Sequence, residues 1–415
     1  MTVYNVSNST QLNAALGRAA GGDTILLAGG DYGSAVISNK NFGTAVTIKS
    51  ASSTFKAHFD YVQVSGSRNI SLQALDVGHA RAPGETDNTQ MMRVQSSNGI
   101  QMAGLSIHGS LDNNPANDGL GLMVTGSSNV QLLGSSFREL SHGAFFDRNS
   151  NVTIASNSFQ TIRSDGIDFG RINNVVVDKN SFTDFHPIRG DHADAIQFWL
   201  VNATAGSSNI TITNNTIMQG SGLGTQGIFL SDPSRYSYSN VLIQNNLIYG
   251  NDMYHGIYVN GGRGVQILGN STLSNGTDAK QLWIDLQAGT GFTVKDNVTD
   301  NILVQHGATG VTLSHNLNLA HDPAARGMFP NLSAPTAAKD LIIAGYGYHV
   351  ANTTASAAST GTIHSSPHTA TGTQVSQTAI ADATTPNGTA HLAPADYPPS
   401  HYSGPTFYDH FVPLA

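Results

Sequence analysis

A 415-residue chain with 44 glycines, no cysteine and only 11% charged residues excludes a disulfide framework, thiolate zinc sites and a cysteine nucleophile. Its 19 basic and 27 acidic residues leave a net charge of −8 with no block of Lys or Arg, which disfavours nucleic-acid binding. No run is long and apolar enough to span a bilayer. The start, MTVYNVSN, lacks the basic and apolar segments of a signal peptide, so a trimmed leader, a module of a longer protein or another export route stay open.

The first predicted element is a short helix. Ser9 is the expected N-cap, Leu12, Ala15 and Leu16 fall at helical spacing, and Gly21-Gly22 stops it. An apolar strand follows at Thr24–Leu27. A helix in this place would cap the first coil of a solenoid and shield its edge.

From residue 69 onward one short phrase recurs. It reads NISLQAL (69–75), GIQMAGL (99–105), NVQLLGS (129–135), NVTIASN (151–157), NVVVDKN (174–180), NITITNN (209–215), NVLIQNN (240–246), GVQILGN (264–270), GFTVKDN (291–297) and GVTLSHN (310–316). Each is a small residue, a strand of period two and a turn, repeating every 20–35 residues or so, as in a solenoid. The closing Asn157, Asn180, Asn215, Asn246, Asn270, Asn297 and Asn316 suit a turn residue that tolerates left-handed dihedrals. Their amides are expected to bond to one another from coil to coil. The fold class is therefore all-β, a single-stranded parallel β-helix with an N-terminal helical cap. It is assigned to residues 1–320, and residues 321–415 are read as an irregular, low-complexity extension. Its last stretch, YPPSHYSGPTFYDHFVPLA, regains aromatics suited to a cap.

The opening segment also carries a resemblance. Ala14, Ala15, Leu16, Ala19, Gly22-Asp23-Thr24-Ile25, Leu27, Gly30 and Tyr32 match the "ALxxAxxGDTIxLxxGxY" phrase that opens alginate and chondroitin lyases. The chain thus resembles the pectate-lyase-like right-handed β-helix proteins over roughly residues 1–320. This implies a right-handed helix, an extracellular or cell-surface setting and a polysaccharide partner.

Between the phrases lies a second strand: DGLGLM (118–123), HGAFFD (142–147), DGIDFG (165–170), DAIQFW (194–199), QGIFLS (226–231) and HGIYVN (255–260). Aligned by their first residue, these stack Asp118, His142, Asp165, Asp194, Gln226 and His255 in one column. An outward column follows of Gly121, Phe145, Asp168, Gln197, Phe229 and Tyr258. Ile167, Ile196, Ile228 and Ile257, with Phe169 and Phe198, turn inward. Stacked coils lie about 4.8 Å apart, so Asp165, Asp168 and Asp194 fall in one patch beside His142. The segment FHPIRGDH brings Arg189, Asp191 and His192 close, and insertions at 108–117, 184–193, 200–207 and 231–239 would wall the patch.

A polar column can be a mere solvated ladder, and His142 and His255 taken singly read as satisfied surface histidines. The coincidence of carboxylates, aromatics and long loops favours a site. Asp165, Asp168, Asp194, His142 and His192 are the expected catalytic residues. Arg163, Arg189, Gln197, Trp199, Phe229, Tyr258 and His255 are expected to bind substrate, and Asp165, Asp168, Asp191 and Asp194 offer oxygen ligands for Ca²⁺. No organic cofactor is expected.

Three chemistries fit. AFFDRNSNVTIASNSFQTIRSDGIDFG (144–170) is similar in layout to the catalytic coils of mannuronan C5-epimerases. Asp147 matches the Asp of their "DPH" motif, and Arg148 and Asn149 stand in place of Pro and His. A lyase or epimerase on a uronate polysaccharide is the leading expectation. SDGID (164–168) resembles the "NTDGID" phrase of polygalacturonases, with Asp194 one coil on, which implies glycoside hydrolysis as the alternative. A binding module such as a tailspike or adhesin is the third.

Overall fold

The computed structural model describes residues 1–200, 203–232, 237–253, 255–277 and 280–350. The chain winds as a parallel β-helix with three strands per coil. One ladder runs through Ser34–Ser38, Tyr61–Ser65, Gln90–Gln95, Leu120–Thr125, Ala144–Asp147, Ile167–Phe169, Asp194–Trp199 and Gln226–Ser231. A second runs through the repeated phrases, from Val3–Val6 to Tyr238–Gln244, and both merge into the long strands His255–Leu268, Trp283–Lys295 and Asn301–Ser314. A separate sheet of 12 short strands, from Gly30–Asp31 to Leu317–Asn318, closes the third side. All ladder pairings are parallel, as successive coils of one winding require. None of the described helices is long and apolar enough to cross a membrane.

The helix Ser9–Arg18 covers the first coil and buries Leu12, Ala15 and Leu16. Its N-cap is Asn8, one residue before the expected Ser9, because the Asn8 side chain accepts from the Gln11 amide.

Period-two alternation places Ile167, Ile196, Ile228, Ile257, Phe169 and Phe198 wholly inside. Aromatic rings stack from coil to coil: Phe137, Phe159 and Phe182 at 4.6 and 4.9 Å, and Phe146, Phe169 and Phe198 at 5.6 and 4.3 Å.

The asparagine ladder is continuous. From Asn157 to Asn297, each backbone N–H and each side-chain amide donates to the side-chain oxygen of the next Asn, ending on Asn316. Left-handed dihedrals occur not at these residues but just before them, at Ser156, Lys179, Asn214, Asn245, Asp296 and His315, and at the phrase openings Asn151, Asn174, Asn209 and Asn240. The closing Asn serves as a buried hydrogen-bond brace, and its neighbour makes the corner.

Residues 321–350 are irregular, and they pack against the last coils. Two 3-10 helices, Pro323–Met328 and Ala338–Leu341, bring Leu332, Leu341, Ile343 and Tyr348 onto Tyr249, Leu273 and Val298. Arg326 pairs with the buried Asp300 at 2.7 Å, and the Tyr249 hydroxyl donates to the Leu332 carbonyl. The aromatic stretch expected as a cap lies outside the described residues.

Candidate functional site

The first ladder builds the site. Backbone bonds from Gly121 to His142, Gly143 to Asp165 and Gly166 to Asp194 run through the first column, so His142, Asp165 and Asp194 sit on successive coils. Glycine follows the first two because the coils pinch there: a Cβ at Gly166 would lie 2.6 Å from the Ala195 carbonyl oxygen. Register in the outward column is Met123, Phe145, Asp168, Gln197, Phe229, Tyr258 and Asp285.

Two expected members fall elsewhere. Leu122, not Leu120, pairs with Ala144, so the coil at 118–123 enters the ladder two residues late. Asp118 accordingly leaves the column and is buried against Ser110, whose amide and hydroxyl it accepts, and Gly121 is not the outward residue. Asp147, matched to the epimerase motif, accepts from the Arg171 amide and pairs with Arg148 at a turn.

His142 Nδ1 lies 3.3 Å from Asp168 Oδ2 and 3.4 Å from Asp165 Oδ2. Asp165 Oδ1 accepts the Asp194 amide at 2.7 Å. Asp194 Oδ2 accepts from Gln197 at 2.7 Å and from His192 at 3.0 Å, and Gln226 Nε2 meets the far nitrogen of His192. Asp165, Asp168 and Asp194 are at most 6% exposed, so this is a sunken cluster rather than an open groove floor. His192 and Gln197 form its half-buried edge. His142 and His255 are largely buried as well, against the surface reading of each alone.

Burial and the neighbouring Asp165 charge push the Asp168 carboxyl up to about 7, with His142 opposing. Burial disfavours charge on His142, yet its hydrogen bonds and charge attraction to Asp165 and Asp168 lift it to about 10. Burial disfavours charge on His192, yet the charge and hydrogen bond of Asp194, with the Asp165 charge, together lift it to about 9. Asp194 is raised by burial, with His192 pulling against it. His255 is pushed down to about 3 by burial and the His192 charge, so it stays neutral. Near neutral pH the patch thus holds two imidazolium ions and a carboxyl half-protonated at Asp168.

Toward the C-terminal coils an aromatic platform begins. Phe229 stacks on Tyr258 at 4.4 Å and on Trp199 at 6.3 Å, and His192 and His255 abut it at 5.1 and 6.0 Å. Asp285, one coil past Tyr258, extends the column and has a buried oxygen, Oδ1, without a hydrogen-bond partner. It escaped the sequence alignment, although the alternation Ile284, Asp285, Leu286 marks it as outward. The loop around Asp87 was missed too, and it forms a further wall: Ser141 donates to the Asp87 carbonyl and Arg163 pairs with its carboxylate at 3.2 Å.

Arg163 is thereby engaged, holding Asp87 on one side and Asp191 at 3.2 Å on the other. Arg189 projects to solvent from its loop. Asp191 also accepts the Ile188 amide and stands with Arg163 rather than with the other carboxylates. The group that converges within 4.8 Å is His142, Asp165 and Asp168, and an imidazole between two carboxylates does not suit a cation that takes six to eight oxygen ligands or so.

Residues 96–297 match a family model described as a right-handed beta helix region. The chain is a right-handed parallel β-helix. No curated protein sequence matches it. Among solved structures, the β-helix is similar to the Dettilon tailspike protein, with 15% identity and a TM-score of 0.56 over 75% of this chain and 63% of the tailspike. It therefore spans less than two thirds of that protein. It is also similar to an alginate lyase from Paenibacillus sp. (17% identity, TM-score 0.42, 76% of this chain and 97% of the lyase). A family 28 exopolygalacturonase from Yersinia enterocolitica matches at 11% identity and a TM-score of 0.45, over 76% and 78% of the two chains. At 15% identity the likeness to the tailspike is one of fold alone.

Proposed function

We propose that this β-helix is an extracellular glycan-cleaving enzyme and that hydrolysis ranks ahead of β-elimination or epimerisation. The observation that carries the reading is Asp168: a carboxyl titrating near 7 beside the His142 imidazolium, next to an aromatic platform. A carboxyl half-protonated at neutral pH is suited to give its proton to a leaving glycosidic oxygen. Asp194, buried and steadied by Gln197 and His192, acts as the partner carboxylate that takes the proton of the attacking water. The half-buried Trp199 and Tyr258, stacked on the buried Phe229 between them, present an apolar edge suited to a sugar ring.

Elimination from a uronate needs a cation to neutralise the substrate carboxylate. Arg163 is already engaged with Asp87 and Asp191, and the imidazolium ions of His142 and His192 are turned onto Asp165, Asp168 and Asp194. Incubation with neutral glycans, pectate, alginate and glucuronan tests the proposal. New reducing ends without the ultraviolet absorbance of an unsaturated sugar support it. That absorbance means a lyase, proton exchange without cleavage an epimerase, and tight binding with neither a binding module.

A further inference from the structure

On the separate sheet, away from the carboxylate cluster, His58, Asp76 and His108 come together from three consecutive coils. His58 Nδ1 lies 2.9 Å from Asp76 Oδ2, and His108 Nε2 lies 3.4 Å from Asp76 Oδ1. The three ligand atoms all lie within 4.8 Å of one another. Ligands at ordinary zinc distances stand about 3.3–3.5 Å apart along a tetrahedral edge, so little adjustment is needed.

The outer nitrogens are also provided for. His108 Nδ1 is 2.8 Å from the Gly109 carbonyl, an acceptor only, so that nitrogen carries a hydrogen and the Nε2 lone pair is turned toward Asp76. His58 Nε2 faces Asp60 Oδ1 at 3.7 Å. Both rings present a nitrogen to one shared carboxylate, and at His108, whose Nδ1 hydrogen is committed to Gly109, the facing lone pairs call for a proton or a metal cation between them. Gly78, in register with His108, permits the approach: a Cβ there would lie 1.9 Å from the His108 carbonyl oxygen and 2.9 Å from its Nδ1.

We infer that His58, Asp76 and His108 form a binding site for a borderline divalent metal such as Zn²⁺, which clips three coils of the solenoid together. Two imidazoles and one carboxylate select against Ca²⁺ and Mg²⁺. The half-buried ligands leave a fourth position for water.

The test is calorimetric titration of Zn²⁺, and separately Ca²⁺, into the full chain stripped with EDTA, with circular dichroism as the check on folding. Wild type is expected to take up Zn²⁺ with a rise in melting temperature and to ignore Ca²⁺ at this site. His108→Ala should lose one zinc per chain, or bind it about a hundredfold more weakly, with the sheet intact. Asp76→Asn, which keeps the shape, should do the same and decides the matter if His108→Ala does not fold. Zinc uptake unchanged in the folded variants places the metal elsewhere and overturns the inference. So does folded wild type that takes up no zinc, which leaves protons as the positive charge.

Discussion

His142 Nδ1 and Asp168 Oδ2 lie 3.3 Å apart across one step of the first ladder, in a cluster almost closed to water. The imidazolium keeps Asp168 from rising further, while burial and Asp165 keep it well above the ordinary carboxylate range. The pair therefore presents a carboxyl whose protonation changes within the physiological range.

The first consequence is catalytic. Asp168→Asn keeps the shape and removes the acid, so turnover is expected to fall about a hundredfold or more with the fold intact. Wild-type kcat should fall on the alkaline side with a midpoint near the Asp168 value of about 7, and that limb should vanish from the residual activity of the variant. A pH–rate profile of both proteins checks this.

A second consequence concerns stability. Asp168 rises from 3.8 to about 7 on folding, so its favourable contribution is complete below 3.8 and lost as the pH climbs through 7. His142 rises from 6.5 to about 10, and its contribution is complete below 6.5 and lost on passing 10. Melting temperatures across pH 4 to 10, taken in about one-unit steps, should show Asp168→Asn more stable than wild type above pH 7 and no better below 4.

Removal of calcium is expected to change nothing at the carboxylate cluster. Because His142 Nδ1 lies between the Asp165 and Asp168 carboxylates, EGTA treatment followed by replacement of Zn²⁺ alone should leave activity and melting temperature as they were. A loss of activity restored by added Ca²⁺ would contradict that geometry.

The asparagine brace predicts a graded cost. Asn215→Ala strips partners from the Asn180 amide, the Val177 carbonyl and Asn246, all in the buried ladder, and should destabilise by about 2–4 kcal/mol. Asn316→Ala, at the half-exposed end of the ladder, should cost clearly less. Denaturant unfolding of the two variants measures the difference.

Much of this architecture is legible in the sequence because a solenoid writes each coil in the same alphabet. Asn157 through Asn316, and the Ile and Phe columns, recur at equivalent points, and a buried repeat leaves one way to stack them. Local loops are less legible. Nothing in DGLGLM says that its coil joins the ladder two residues late, which moved Asp118 out and Met123 in. The pairing of Asp191 with Arg163, and of Arg163 with Asp87 across 76 positions, depends on how two insertions fold over each other. The column alignment alone sets Asp165, Asp168 and Asp194 on neighbouring coils, which is why that much is legible. What it does not show is that the His142 Nδ1 atom comes between two of them.

The most direct test is product analysis on the glycan panel with wild type and Asp168→Asn in parallel. The account predicts that wild type creates reducing ends on at least one glycan without unsaturated products, and that the variant loses this activity while binding the same glycan. Unsaturated products from wild type, or an undiminished rate in the variant, would contradict it.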